Sequence, residues 1–348
     1  MVKSVHLRRS LGVLFLGFLL AFQALSQTDS NLVVVEDGYI GKIKGKIATE
    51  ISVNNLYEKF QVKTPNETLK LSPNTVANIR FKVSYRFITA AIQIAPAFIP
   101  GNNDDELKGK SKSFSIGTAL VLKHLYVEGA YFKLKGYYLE NTDDFISRNP
   151  SDPYIQFPDL YYQGYFLNFG WSSNAKFSYK SILTQTERQL KSAGSFLPIF
   201  EHSYYVISNK AQSPTAQTTK NLEFSIGPGY MYNLVLKRSF YVSLGAFATG
   251  GYLNTRLETR IGADYYYTTQ DNFTYNWELR GGAGHNGKRF FSGVFARVSG
   301  SEYDQAHTTA HNSETRVYYH AFVGYRFTAP EFVRQQFDYV EERIPYMK

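Results

Sequence analysis

The sequence predicts an all-β fold, an antiparallel up-and-down transmembrane β-barrel of 12–14 strands. Three observations carry that prediction. Apolar and polar residues alternate through most of the chain, many runs covering ten or more positions, whereas strands of soluble domains usually run to about five or six. Aromatic residues make up 16% of the 348 residues, with 28 Tyr and 27 Phe against 3 Met and 2 Trp. The chain also opens on an export-type segment.

That segment comes first. Lys3, Arg8 and Arg9 precede an unbroken apolar run from Leu11 to Phe22, and Ala24-Leu25-Ser26 supplies small residues at the cleavage-defining positions. The pattern predicts a secretory signal peptide over 1–26, cleaved after Ser26. The run is too short for a membrane helix, which needs about 20 residues. Removing the three bases lowers the formal net charge from +9 to +6. Residues 27–45 read as a periplasmic linker.

The barrel is expected over 46–328, in the outer membrane of a Gram-negative bacterium. The first runs are Ile47–Asn54, Asn78–Phe87, Thr89–Ala97, Phe114–Leu122 and Leu125–Tyr131. Asn78–Phe87 shows the logic: Ile79, Phe81, Val83, Tyr85 and Phe87 share one face, while Arg80, Lys82, Ser84 and Arg86 share the other. Tyr161–Gly170, Phe177–Gln185 and Phe196–Ile207 follow. Next come Asn221–Leu234, Ser239–Gly251 and Phe273–Gly284, and finally Arg289–Ser299 and Thr315–Phe327. Aromatics gather near strand ends, where girdles meet the membrane interfaces. A soluble sandwich would carry more Lys, Glu and Asp on its outward face.

Short turns are expected at Lys123-His124, Leu236–Arg238 and Gly284–Lys288. Long polar loops are expected at Gly101–Ser113, Glu140–Pro158, Ser208–Lys220, Asn254–Asn272 and Gly300–Glu314. These runs number thirteen, and bacterial barrels have even strand numbers. One strand is therefore missed or over-counted, with Thr186–Ser195 the chief suspect and Lys59–Val62 the other. Residues 329–348 form a periplasmic tail. Within it Val333, Phe337 and Val340 have helical spacing after Pro330.

With no cysteine, disulfides, thiolate metal sites and cysteine nucleophiles are excluded. No calcium loop or phosphate loop is present, so neither a cofactor nor a metal is expected. The modest charge, interleaved with apolar positions, argues against nucleic acid. If apolar faces meet lipid, the inward bases are Arg80, Lys82, Arg86, Lys180, Arg280, Arg289, Arg297, Arg316 and Arg326. The inward acids are Glu50, Glu128, Glu223 and Glu278. Nine against four gives an excess of five positive charges, which would favour anionic solutes. The opposing reading is a closed lumen filled by internal ion pairs.

His311 and Ser313 lie two apart and would share a face if extended, as a His–Ser pair in a lipid-modifying enzyme would. A histidine in a polar loop is more commonly only solvated, and the chain reads as a non-enzyme. The stretch 176–195, KFSYKSILTQTERQLKSAGS, crowds polar side chains into few positions. It is expected either to fold into the lumen or to form an outer loop.

Within that stretch Gln185, Gln189, Lys191, Ser192, Gly194 and Ser195 resemble a motif of domain-of-unknown-function family 4421. Gly227-Pro228-Gly229-Tyr230 and the closing Gly324-Tyr325-Arg326-Phe327 are similar to it as well. The resemblance would cover most of the mature chain. It implies an envelope barrel of Bacteroidota and supplies no catalytic residue. The expected function is a pore or binder for small polar or anionic solutes. The alternatives are a closed structural or interaction barrel and a lipid-modifying enzyme. Expected partners are outer-membrane lipid, the barrel-assembly machinery during insertion, small polar solutes and a periplasmic protein.

Overall fold

A computed structural model of the protein describes residues 33–55, 59–63, 68–209, 215–237, 239–304 and 311–344. The export segment 1–26 lies outside the described residues. The chain forms a closed antiparallel ring of twelve strands. They are β1 (Lys46–Asn54), β2 (Asn78–Tyr85), β3 (Ile88–Ile94), β4 (Lys112–Val121), β5 (Leu125–Leu139) and β6 (Gln156–Trp171). Then come β7 (Ile199–Asn209), β8 (Thr215–Gly227), β9 (Phe240–Ile261), β10 (Asp264–Asn286), β11 (Phe290–Asp304) and β12 (His311–Thr328). Each pairs with its neighbour in the chain, and β12 closes on β1, with Thr328 opposite Lys46 and His320 opposite Asn54. Closure leaves no edge along the shared height of the wall.

Burial inverts the rule of soluble proteins. On β1, Lys46, Ala48, Glu50, Ser52 and Asn54 are buried, while Ile51 and Val53 are exposed. The same inversion exposes Phe81, Val83, Ile92, Ile226, Tyr230, Leu244, Tyr275, Val294 and Phe327. A continuous apolar belt of this size is not tolerated in water and is the lipid-facing surface of a transmembrane barrel.

Twelve strands resolve the parity problem, and the over-counted one is Phe177–Gln185. It is a turn and a short helix, Lys180–Leu183, not a strand. Its alternating Phe177 and Tyr179 mimic a lipid face, yet both are buried, in a cluster with Val121, Tyr126, Leu197, Met231 and Phe247. Phe60–Lys63 is real β-structure but stands outside the ring, hairpinned with Thr68–Ser72 above β5.

Near the end with the short turns, which we call the lower end, two strands are broken together. Ala193–Phe196 continues β7 and pairs with Gly229–Leu236, which continues β8. Pro228 interrupts β8 because it has no N–H to donate to the ladder. Leu197 N–H donates to the Gly229 carbonyl at 2.7 Å across the break. A Cβ on Gly229 would meet the Phe247 ring and the Leu197 carbonyl oxygen, so the pinch requires glycine.

Two expectations are corrected. Asn254–Asn272 is no loop: β9 and β10 run for 22 and 23 residues and turn at Gly262, whose φ is +62°. Its Thr and Tyr residues favour extended backbone, and the hairpin satisfies its own hydrogen bonds. Strand structure likewise shortens Ser208–Lys220 and Gly300–Glu314 from both sides. The segment 27–45 is also more than a linker. From Val33 it forms a hairpin, Val33–Val35 with Ile40–Lys42, whose second strand pairs with Glu187–Gln189. That pairing partner is distant in sequence, so periodicity could not announce it. After Thr328, a helix spans Glu331–Arg343, with Pro330 at its N-cap.

Candidate functional site

The segment 172–192 leaves the ring at Trp171 and crosses the lower mouth before rejoining the wall. Its side chains explain why it does not run on as strand. Ser178 Oγ accepts the Ser181 amide at 3.1 Å and donates to Glu187 at 2.6 Å, which starts the short helix. Gln185 then takes a φ of +58°, turning the chain back across the mouth. Ser178, Lys180, Ser181 and every residue from Thr184 to Gln189 are buried.

The barrel grips this plug from all sides. Lys82 on β2 donates to the Leu183 carbonyl at 2.9 Å. Arg326 on β12 donates to the Gln185 carbonyl through Nε at 2.9 Å and Nη2 at 2.6 Å. It also reaches Asn286 Oδ1 at 2.6 Å and lies over the Phe291 ring. Asn286 on β10 donates to the carbonyls of Ser181 and Glu187. Arg188 of the plug donates to the Asn286 carbonyl at 2.8 Å and to Ser239 Oγ. Asn233, on the lower continuation of β8, meets Ser181. On β5, Tyr126 stacks on Tyr179 with centroids 4.2 Å apart. Burial pulls the Arg188 guanidinium below its ordinary value.

The motif residues shape this plug. Gln189 holds four main-chain groups, accepting from Ser178 N–H and donating to the Tyr39, Lys176 and Lys191 carbonyls. Lys191 donates to the Asp37 carbonyl, and Ser192 Oγ accepts the Val235 amide. Gly194 faces the Tyr230 ring where a Cβ would clash, and Ser195 Oγ joins Ser172 Oγ at 2.9 Å. Gln185 supplies the carbonyl that Arg326 clamps.

Below the plug, the C-terminal helix is strapped on. Phe337 packs 4.7 Å from Tyr85 and 5.2 Å from Phe87, ring to ring. Glu341 is buried and pairs with Lys44 at 3.1 Å and Arg86 at 3.2 Å, and Arg86 also meets Asp338 at 2.7 Å. Burial opposes the Arg86 charge, but Asp338 and Glu341 hold its pKa above the ordinary value. Thr186 Oγ1 donates to the Arg86 carbonyl at 2.7 Å, tying turn, plug and helix together.

The expected basic cluster is therefore divided. Arg86 points to the helix, and Lys180 belongs to the plug, 3.6 Å from Glu187. Arg289 is exposed at a lower turn. Arg326 is spent on the plug. Lys82 pairs with Glu50 at 2.6 Å. Arg280 pairs with Glu278, donates to Tyr179 Oη at 3.2 Å and lies over Phe247. Arg297 meets Glu278 at 3.4 Å and lies over Tyr318. Arg80 is half-buried, and Arg316 is exposed farther up β12.

Glu201, an acid the sequence reading left out, alternates inward on β7 and accepts from Ser225 at 3.1 Å. Above the plug, Arg80, Lys82, Arg280, Arg297 and Arg316 thus face Glu50, Glu128, Glu201, Glu223 and Glu278. The expected excess of five positive charges is not present there; bases and acids balance. His311 and Ser313 sit on β12 opposite Asp304 and Glu302, and their side chains lie outside the described residues.

Solved structures with similarity to this chain include the ferric citrate transporter FecA in its unliganded form. Its TM-score is 0.32 at 9% identity, covering 80% of this chain and 42% of that one. The chain thus spans about two fifths of that protein. The outer membrane protease OmpT from Escherichia coli has a TM-score of 0.30 at 10% identity, covering 82% and 98%. CdiB from Escherichia coli has a TM-score of 0.28 at 8% identity, covering 80% and 63%. No curated protein matches the chain. The family described as "Domain of unknown function (DUF4421)" matches residues 29–327, and the chain belongs to that family.

Proposed function

We propose that this chain is an outer-membrane β-barrel of a Gram-negative bacterium, exported by a cleaved leader, that binds small polar solutes in a lumen closed below. The plug carries this reading. Hydrogen bonds from β2, β10 and β12 and from the lower part of β8 converge on 172–192, and Tyr126 of β5 stacks against it. With its lower mouth occupied, the lumen is a cup and not a free diffusion path. Its balanced charges favour polar solutes without the anion preference that an excess of bases would give.

The test is reconstitution into planar bilayers, with folding monitored by heat-modifiable gel mobility. The wild-type barrel gives no steady conductance. Replacing residues 176–191 by a Gly-Ser linker of equal length, in a barrel that still folds, gives open-pore conductance. Steady wild-type conductance overturns the reading. A second reading, an interaction barrel of the envelope, is favoured by the C-terminal helix, where Phe332 and Tyr339 are exposed on the face turned away from Phe337.

A further inference from the structure

The wall carries bases on its outward side as well as inside. Going up β4, the outward positions are Ile116, Phe114 and Lys112; going up β5 they are Tyr131, Lys133 and Lys135, and all six are exposed. Ile116 stands opposite Tyr131, Phe114 opposite Lys133, and Lys112 opposite Lys135. Phe114, Ile116 and Tyr131 belong to the apolar belt, as does Tyr165, the partner of Tyr131 on β6. The belt therefore gives way to lysine within one alternation, about 7 Å along a strand. The side chains of Lys112 and Lys133 make no ion pair or hydrogen bond among the described residues, whereas Lys135 pairs with Asp159 at 2.9 Å. Like charges directly opposed across a sheet destabilise it, and diagonal neighbours lie only about 7–8 Å apart. Three ammonium groups thus share a small area with a single acid.

The juxtaposition recurs farther round the wall. Outward Lys220 on β8 stands opposite Arg256 on β9, above the belt residues Phe224 and Tyr252. Lys220 meets Glu258 at 3.6 Å, and Arg256 is exposed with no such contact among the described residues. Both groups of bases lie toward the upper end, where a lipid-facing surface passes from acyl chains to headgroups. A lysine there lays its apolar stem on the belt and raises its ammonium into the polar layer. Opposed cations at that height are the complement of an anionic headgroup. We infer that Lys112, Lys133 and Lys135 bind a phosphate of an outer-leaflet lipid whose acyl chains lie against Phe114, Ile116, Tyr131 and Tyr165. Asp159 holds Lys135, and Lys112 and Lys133 meet the phosphate as point charges. This inference rests on the outer-membrane reading above and is independent of solute binding.

The experiment titrates the full folded barrel, in non-ionic detergent, with lipid A and with the same lipid after its phosphates are removed, and native mass spectrometry counts bound lipid. Lipid A is expected to bind saturably, and the dephosphorylated form at least tenfold more weakly. The triple variant Lys112→Gln, Lys133→Gln, Lys135→Gln should lose at least tenfold in affinity while keeping its heat-modifiable gel mobility. If that variant does not fold, Lys133→Gln alone should show a smaller loss that Lys133→Arg restores. Lys237→Gln with Arg289→Gln, which removes exposed bases at the lower turns, should bind as the wild type does. Equal binding of the two lipids overturns the inference, as does wild-type affinity in the Lys112, Lys133 and Lys135 variant. So does full displacement of lipid A by inorganic phosphate, which would mark a site for the free ion. Insertion into phospholipid vesicles tests the reading beneath it. A barrel that inserts but does not hold lipid A overturns this inference alone, whereas one that stays soluble without detergent overturns both.

Discussion

At the lower mouth Arg188, Arg326 and Lys82 each donate to an oxygen at 2.6–3.0 Å, and the groups that receive them belong to the plug or its supports. One layer higher, Arg80 and Glu128 face the same lumen with no contact of this kind. The difference separates two uses of a buried charge. Below, the guanidinium groups satisfy backbone carbonyls that a non-helical, non-sheet segment would otherwise leave orphaned in the barrel. Above, Lys82, Arg280 and Arg297 pair with Glu50 and Glu278, while Arg80 and Glu128 make no such contact.

The largest break in this contrast should come from Arg326→Ala. It orphans the Gln185 carbonyl and Asn286 Oδ1 and removes the cation over Phe291. A loss of about 3–5 kcal/mol is expected, as for removing one partner of a buried charged contact. The midpoint of the heat-modifiable gel shift reads it. An unchanged midpoint would mean that β12 does not hold the plug.

A smaller loss, about 1–2 kcal/mol, is expected for Glu341→Gln. Lys44 and Arg86 lose a buried carboxylate, but Arg86 keeps Asp338 and Phe337 keeps its aromatic cleft. Limited proteolysis should cut the C-terminal helix faster while the barrel stays resistant. Equal cutting rates would detach this helix from the plug's stability. The smallest effect sharpens the contrast from the other side: Arg80→Gln should change stability by less than about 0.5 kcal/mol, because no contact is lost. A loss comparable to that of Arg326→Ala, in urea titration, would show that Arg80 is structural.

Much of the wall was legible because lipid and lumen impose a strict two-residue period. Val317, Tyr319, Val323 and Phe327 read as lipid-facing from their spacing alone, and all four are exposed. The strand count failed at Phe177 and Tyr179, since alternate aromatics in a plug look like alternate aromatics in a wall. The motif drew notice through its crowding of polar groups. The grip of Asn286 and the Val33–Lys42 hairpin did not, because each matters only through a partner about 100 or more positions away.

By itself, the sequence determined an antiparallel barrel, its lipid-facing positions and its aromatic belts, since period two and residue type are local properties. It also pointed to the helix at the C-terminal end through local spacing. Only the tertiary structure decided that the count is twelve, that residues 172–192 close the lower mouth, and that the inward charges above them balance. Those outcomes depend on which distant charges meet inside a closed ring, and no local pattern encodes a pairing made across a lumen.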